Sequence, residues 1–247
     1  MYRFFAPEEN LGDGEIRLTG DDVNHIKNVL RMTPGEEVMV SFGKGVDCHC
    51  RIRTLEKDCI WLDILEEMPA VTELPVKIVL FQALPKKDKM EWIIQKAVEL
   101  GVAEIVPVSS RRCVVKLDDK KKEKKLARWQ TIAESAAKQS GRGMIPGIHG
   151  VLPFSQALSY AKELDTVLIP YELSENMAES VEVMKKAARG GSIGIFIGPE
   201  GGFERSEVEE AMEEGASPIS LGKRILRTET AGMTALSVLM FLIEGKE

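Results

Sequence analysis

Several features that would assign the chain to a class are missing from it. No apolar run approaches the roughly 20 residues that cross a bilayer, and the opening MYRFFAPEEN lacks the basic-then-apolar layout of a secretion leader. A cytoplasmic address, with no membrane partner, is the expectation. Cysteine is sparse, at four residues: Cys48, Cys50, Cys59 and Cys113. Cys48 and Cys50 stand two apart in an alternating segment and so share one strand face, while no second Cys or His pair stands at zinc spacing. Reduced structural thiols and no bound metal follow. His25, His49 and His149 are scattered, without an acid–base partner nearby in sequence. No Gly-Lys-Ser/Thr marks a P-loop, and the six-residue dinucleotide fingerprint is absent, so a phosphate site is disfavoured. An excess of positive charge is missing too. The chain has 33 Lys and Arg against 39 Asp and Glu, a net charge of −6, which is not the overall footprint of a nucleic-acid binder.

What is present is an ordinary globular composition, 44% hydrophobic and 29% charged over 247 residues, enough for one or two domains with a real core. The first 70 residues differ in texture from the rest. Arg3-Phe4-Phe5 and Ile16-Arg17-Leu18 precede one short helix over 21–30, with Val23, Ile26, Val29 and Leu30 as its apolar residues. Thr33-Pro34-Gly35 then turns the chain into strands near 38–42, 46–55 and 60–65, the first two joined by Gly43-Lys44-Gly45. A small, mostly antiparallel β-barrel-like module over residues 1–70 is expected. It holds 8 basic against 14 acidic residues, which leaves the remaining chain balanced at 25 against 25.

Residues 69–75, bounded by two prolines, read as a linker. Over 76–247, apolar strands at 78–81, 105–108, 167–170, 193–197 and 219–221 alternate with helical patterns at 88–100, 120–140, 154–163, 177–189, 204–214 and 228–244, and 141–151 reads as loop. This alternation specifies an α/β domain with a parallel sheet, whose ligands bind at the carboxyl ends of the strands. Three such ends are candidates to converge: Pro170-Tyr171-Glu172, Gly198 to Gly202, and Leu221 to Leu226. General rules of chain path favour an unknotted, doubly wound arrangement.

Two turns stand out. Gly198-Pro199-Glu200-Gly201-Gly202 has three glycines in five residues, which permits positive φ and lets a ligand approach bare backbone. The plain alternative is a strand-to-helix turn before a charged, solvated helix. In the second turn, Leu221 to Thr228, Ile225-Leu226 lies between Arg224 and Arg227. Apolar residues in such a loop either cover core or wall the flat faces of a heteroaromatic ligand, and the residues alone leave both open. Thr228 then reads as an N-cap, with Ala231, Ala235, Val238, Leu239 and Leu242 facing inward behind it. Residues 111–128, RRCVVKLDDKKKEKKLAR, hold nine basic and three acidic side chains, a run that suits a solvated face or RNA contact equally.

GPEGGF and LGKRILRTETA, with FQALPKKDKMEWIIQKAVELGV at 81–102 and AESAAKQSGR at 133–142, closely resemble the RsmE family of SPOUT-class RNA methyltransferases. The resemblance spans essentially the whole chain. It implies a SPOUT-type parallel sheet over 76–247 with a C-terminal trefoil knot, and a PUA-like RNA-binding domain over 1–70. It also implies methylation of N3 of a uridine in small-subunit (16S) ribosomal RNA from S-adenosylmethionine, by a homodimer. Backbone groups of Leu221, Gly222, Ile225, Leu226 and Thr228 would then hold the adenosine, with Ile197, Gly198 and Gly201 near the methionine portion and Pro170 and Tyr171 completing the pocket. Arg227 is the candidate to stabilise negative charge on a uracil oxygen, and Glu229 the candidate to accept the N3 proton or orient Arg227. Arg3 and Arg31, in the family's Arg-Phe-Phe and His-x-x-x-Val-Leu-Arg patterns, are candidate RNA contacts, as are Arg111 and Arg112. Met233, Leu236, Met240 and Phe241 form a candidate dimer face. A small-molecule methyltransferase and a non-catalytic RNA-binding protein are the rival readings.

Overall fold

The computed structural model describes residues 1–115, 118–171 and 176–245. The chain forms two compact units, Met1–Glu73 with Ala137–Ile145, and Leu74–Ala136 with Pro146–Glu247.

The first unit is built on five strands, β1 (Arg3–Phe5), β2 (Glu15–Thr19), β3 (Glu37–Ser41), β4 (Val46–Leu55) and β5 (Cys59–Pro69). They lie in the order β1-β3-β4-β5-β2, antiparallel apart from a parallel β1/β3 pair. Period-2 alternation sends Ile16, Leu18, Val38, Val40, Ile52, Ile60 and Leu62 to one shared core with Phe4 and Ile26. Each of these side chains contributes about 1.5–3 kcal/mol by leaving water. Cys48 and Cys50 belong to the same core, and burial pushes their thiols up to about 11 and about 12, which keeps them protonated. Strands β1 and β2 do not pair with each other among the described residues, so the expected barrel is an open sheet, bulged between His49 and Cys50.

The helix expected over 21–30 is instead α1 (Asp21–Asn24) followed by one π-helical turn, His25–Val29. The Leu30 amide reaches back to the His25 carbonyl and the Met32 amide to that of Ile26. This wider turn seats Ile26 in the core and leaves Val29 exposed. Arg31 ends it in the left-handed region, at φ +54°.

The second unit carries a seven-strand parallel sheet. Its strands are β6 (Lys77–Ala83), β7 (Glu104–Ser109), β8 (Gly147–Ile148), β9 (Leu152–Pro153), β10 (Thr166–Pro170), β11 (Ser192–Ile197) and β12 (Ser217–Ile219). The order is β12-β10-β11-β6-β7-β8, with β9 also beside β7. Helices α2 (Lys89–Glu99), α3 (Asp119–Ser140), α4 (Phe154–Ala161), α5 (Met177–Ala187), α6 (Arg205–Glu213) and α7 (Thr228–Glu244) alternate with the strands. Strands β6 and β11 are buried along nearly their whole length, which is why both read as unbroken apolar runs. Phe81 of β6 stacks on Phe196 of β11 at 4.4 Å between centroids, and Phe81→Ala would cost about 3–5 kcal/mol.

Two expectations shift in ways that matter for the site. Strand β12 ends at Ile219 rather than 221, which releases Ser220 and Leu221 into the following turn. Among the described residues it pairs only with β10, and an edge position tolerates the loss of the N–H that Pro218 lacks. Helix α7 buries Gly232, Ala235, Leu236, Leu239 and Ile243, so its inward stripe is turned from the expected one and Val238 is exposed.

Candidate functional site

Strands β10, β11 and β12 run parallel and end together. Pro170 pairs with Ile219, and the register that sets Leu168 beside Ile195 brings Pro170 level with Ile197 when carried two residues further. The turns after β11 and β12 therefore leave the same edge of the sheet, and a hydrogen bond joins them. The Thr228 hydroxyl donates to the Gly198 carbonyl at 2.6 Å and accepts from Gln82 Nε2 at 3.0 Å. Thr228 is thus not the N-cap of α7. Arg227 occupies that position without a capping side chain, and the Thr228 hydroxyl is spent on the other turn. Pro170 and Tyr171 are half-buried on the same edge, with the Tyr171 amide bonded to the Ile219 carbonyl at 3.0 Å. Glu172, the remaining member of the third candidate end, lies outside the described residues.

The first turn is braced on every side. A Cβ on Gly198 would stand 3.1 Å from the Gly202 carbonyl carbon and the Phe203 nitrogen, main-chain atoms that cannot swing away. Glu200 accepts from the Lys86 amide at 3.1 Å and pairs with Lys89 at 3.2 Å. Burial pushes the Glu200 carboxyl up, but its own amide, that of Lys86 and the Lys89 ammonium outweigh this and hold it below the ordinary range. Arg112 Nη1 donates to the Gly201 carbonyl at 2.8 Å. Glu207, only 1% exposed, accepts from the amides of Glu204 and Arg111 at 2.9 and 2.8 Å. The Arg111 guanidinium continues to Ser206 and Glu204. Arg111 and Arg112, singled out for RNA contact, are exposed side chains that also fasten this turn.

The second turn is bare by comparison. Gly222 sits at φ +107°, a conformation that strains any L side chain. Its amide bonds Ser220 Oγ at 3.3 Å, but the amides of residues 223–227 have no hydrogen-bond partner among the described residues. Ile225 is 94% exposed and covers no core, whereas Leu221 and Leu226 are half-buried. Arg227 is exposed and forms no ion pair among the described residues. A cation at a helix N-terminus opposes the macrodipole by about 0.3–1 kcal/mol, so helix stability does not account for it.

Glu229 does not orient Arg227 here. Its Oε2 is 3.1 Å from Lys89 Nζ, the first residue of α2. Lys89 is the functional candidate that sequence reading missed. Its one local signal is a cation opening a helix, against the dipole. The other expected residues lie in the first unit. Arg3 Nη1 donates to the buried Asp47 at 2.5 Å, while Arg31 is exposed without an ion pair among the described residues. No group of three or more His, Cys, Asp or Glu that could hold a metal occurs among the described residues. Neutral amides and apolar walls suit an uncharged heteroaromatic ligand. Arg227 and Glu229, on adjacent sides of Thr228, add a positive charge and a proton acceptor.

Comparison with known proteins agrees with this layout. The RNA methyltransferase domain family matches residues 72–240, and the RNA methyltransferase PUA domain family matches residues 18–65. Ribosomal RNA small subunit methyltransferase E of Bacillus subtilis is 39% identical over 92% of this chain and 90% of its own. The crystal structure of ribosomal RNA small subunit methyltransferase E from Neisseria gonorrhoeae, bound to S-adenosyl methionine, superposes with a TM-score of 0.82 at 38% identity, covering 98% of both chains. A Legionella pneumophila methyltransferase with bound SAM cofactor gives 0.78 at 34% identity, over 96% of each. With matches of this strength running through both units, the chain belongs to the ribosomal RNA small subunit methyltransferase E family.

Proposed function

We propose that the chain is an S-adenosylmethionine-dependent methyltransferase acting on N3 of a uridine in small-subunit (16S) ribosomal RNA. The observation that carries this reading is the Thr228–Gly198 hydrogen bond, which makes one cradle of two turns on the carboxyl edge of a parallel sheet. The residues fit the group. Gly198 and Gly222 stand where a side chain would clash or strain, and free amides at 223–227 are available to bond the edge of a heteroaromatic base. Leu221, Gly222, Ile225, Leu226 and Thr228 would hold the adenosine. Ile197, Gly198 and Gly201 would hold the methionine portion, with Pro170 and Tyr171 closing the pocket. When bound, S-adenosylmethionine supplies a methyl group carried on a positively charged sulfonium.

Uracil N3 carries a proton at neutral pH, and that proton must leave as the new N–C bond forms. Arg227 offsets negative charge on the neighbouring carbonyl oxygen, which makes N3 more acidic. The Glu229 carboxylate accepts the proton. Because N3 lies on the pairing edge of uridine, the target base is unpaired or extruded.

Arg3, Arg31, Arg111 and Arg112 are the proposed RNA contacts, since guanidinium forks suit phosphates and base edges alike. Exposed Lys120, Lys121 and Lys124 in the first turns of α3 support RNA contact by the second unit as well. Lys121 pairs with Asp118 at 2.8 Å, whereas cations at Lys120 and Lys124 gain nothing from the helix dipole. Lys116, in the same basic run, lies outside the described residues. We assign residues 1–70 as the PUA-like domain and 76–247 as the SPOUT domain with its trefoil knot. The return of α7 from edge strand β12 to pack on α2 and β11 supports a knotted path. For the homodimer, Phe241, 75% exposed, is the one of the four expected dimer-face residues left for a partner, because Leu236 is core and Met233 and Met240 are half-buried; Val238 and Ile225 are exposed apolar groups beside them in sequence. A cytoplasmic address follows from the substrate. No helix among the described residues is long and apolar enough to cross a membrane.

The test is transfer of labelled methyl from S-adenosylmethionine to 16S RNA, naked and in small subunits, with the product base identified by mass spectrometry. N3-methyluridine at one position is the expected product. Label found only on small molecules favours the small-molecule rival, and RNA binding without transfer favours the non-catalytic one.

A further inference from the structure

A single ammonium group bridges the two turns. Lys89 Nζ lies 3.2 Å from Glu200 Oε1 in the first turn and 3.1 Å from Glu229 Oε2 in the first turn of α7. The three side chains are only 28%, 26% and 16% exposed, so this is a partly sheltered network and not an isolated surface pair. Glu229 Oε2 is itself buried, and no hydrogen bond of good geometry reaches it among the described residues. Burying a carboxylate oxygen is costly unless a positive charge compensates it. The compensating charge is Lys89. Among the described residues Lys89 on α2 is the ion-pair partner of Glu229 and is shared with Glu200, while neighbouring Arg227 forms no ion pair with it.

We propose that Lys89 is a positioning residue for methyl transfer: it latches the two turns into one cradle and holds the Glu229 carboxylate in place. This rests on the functional reading above. In the reaction, the N3–C bond forms as the S–CH₃ bond breaks, and the N3 proton passes to Glu229 and then to solvent. Lys89 exchanges no proton and remains an ammonium throughout. Its first consequence is on binding, because a preorganised cradle loses less on closing around its ligand. Its second is on placement, because without the cation the Glu229 and Glu200 carboxylates lose the group that holds both of them.

The test compares the full chain with Lys89→Met and Lys89→Arg. Affinity for S-adenosylmethionine is measured by calorimetry, kcat and KM for RNA are measured separately, and thermal melts report folding. Lys89→Met is expected to weaken S-adenosylmethionine binding about tenfold and lower kcat about 100-fold. KM for RNA is expected to stay within about threefold. Lys89→Arg, whose guanidinium can span both carboxylates, should recover most of the affinity and of kcat. Lys89→Gln, uncharged but polar, supplies the same readouts should Lys89→Met not fold. The proposal is overturned if the uncharged variants match the original protein in affinity and in kcat. A fall in kcat with affinity unmoved, or one that Lys89→Arg does not recover, overturns it as well. If the original protein binds S-adenosylmethionine but methylates no ribosomal RNA, the functional reading fails separately, and the affinity of Lys89→Met still decides whether the latch exists.

Discussion

The two turns of the cradle leave the same sheet edge yet are built in opposite ways. Residues 198–202 are tied down by Glu200, Arg112, Glu207 and a glycine packed against backbone. Residues 221–227 expose Ile225 and leave five amides unbonded among the described residues. Under the proposed function, the first turn would serve as scaffold and the second, with its run of unbonded amides, would read the ligand. Changes in the first should therefore move stability and binding together, whereas changes in the second should move binding or turnover alone.

The largest effect falls on the bare turn. Arg227→Ala is expected to cut single-turnover methyl transfer by about 100-fold or more, with S-adenosylmethionine affinity within about threefold and an unchanged melting temperature. Unchanged transfer would remove Arg227 from the chemistry. In the braced turn, Glu207→Ala strands the Arg111 and Glu204 amides and should cost about 2–3 kcal/mol in urea unfolding. Binding should weaken alongside it. Gly198→Ala forces a methyl against fixed backbone and should cost about 1–3 kcal/mol, again with poorer binding. Ile225→Ser sharpens the contrast, since stability should stay within about 0.5 kcal/mol while calorimetry shows weaker binding.

The smallest effect is the pH dependence of the brace. Glu200 is held below its ordinary value of 4.5, so its contribution is present above that value and fades as pH falls through the depressed one. Urea unfolding of Glu200→Gln should therefore show a deficit at neutral pH that shrinks below pH 4.5. A deficit that stays constant or grows on acidification would mean that the carboxylate's charge is not what braces the turn.

How much of this was legible in the sequence depends on the range of the cause. Strands β6 and β11 were plain because burial on both faces leaves a local apolar run. The glycine turns were plain because positive φ and close approach restrict residue type at the spot itself. The π-helical turn at His25–Val29 and the two-residue strands β8 and β9 are too short to leave a period. The true inward face of α7 was hidden because that helix is apolar nearly all round. The braces were hidden for a different reason. Gln82 meets Thr228 across 146 residues and Lys86 meets Glu200 across 114, and such polar contacts leave no local trace. Arg111 and Arg112 were visible as charge, but their carboxylate and carbonyl partners were not.

Hydrogen–deuterium exchange with and without S-adenosylmethionine tests most directly whether two separate turns make one site. Amides 221–228 should become strongly protected when ligand is added, and 198–203, already held, should slow further in the same titration. Protection confined to one turn, or appearing elsewhere on the chain while both turns stay unchanged, would contradict the single-cradle account.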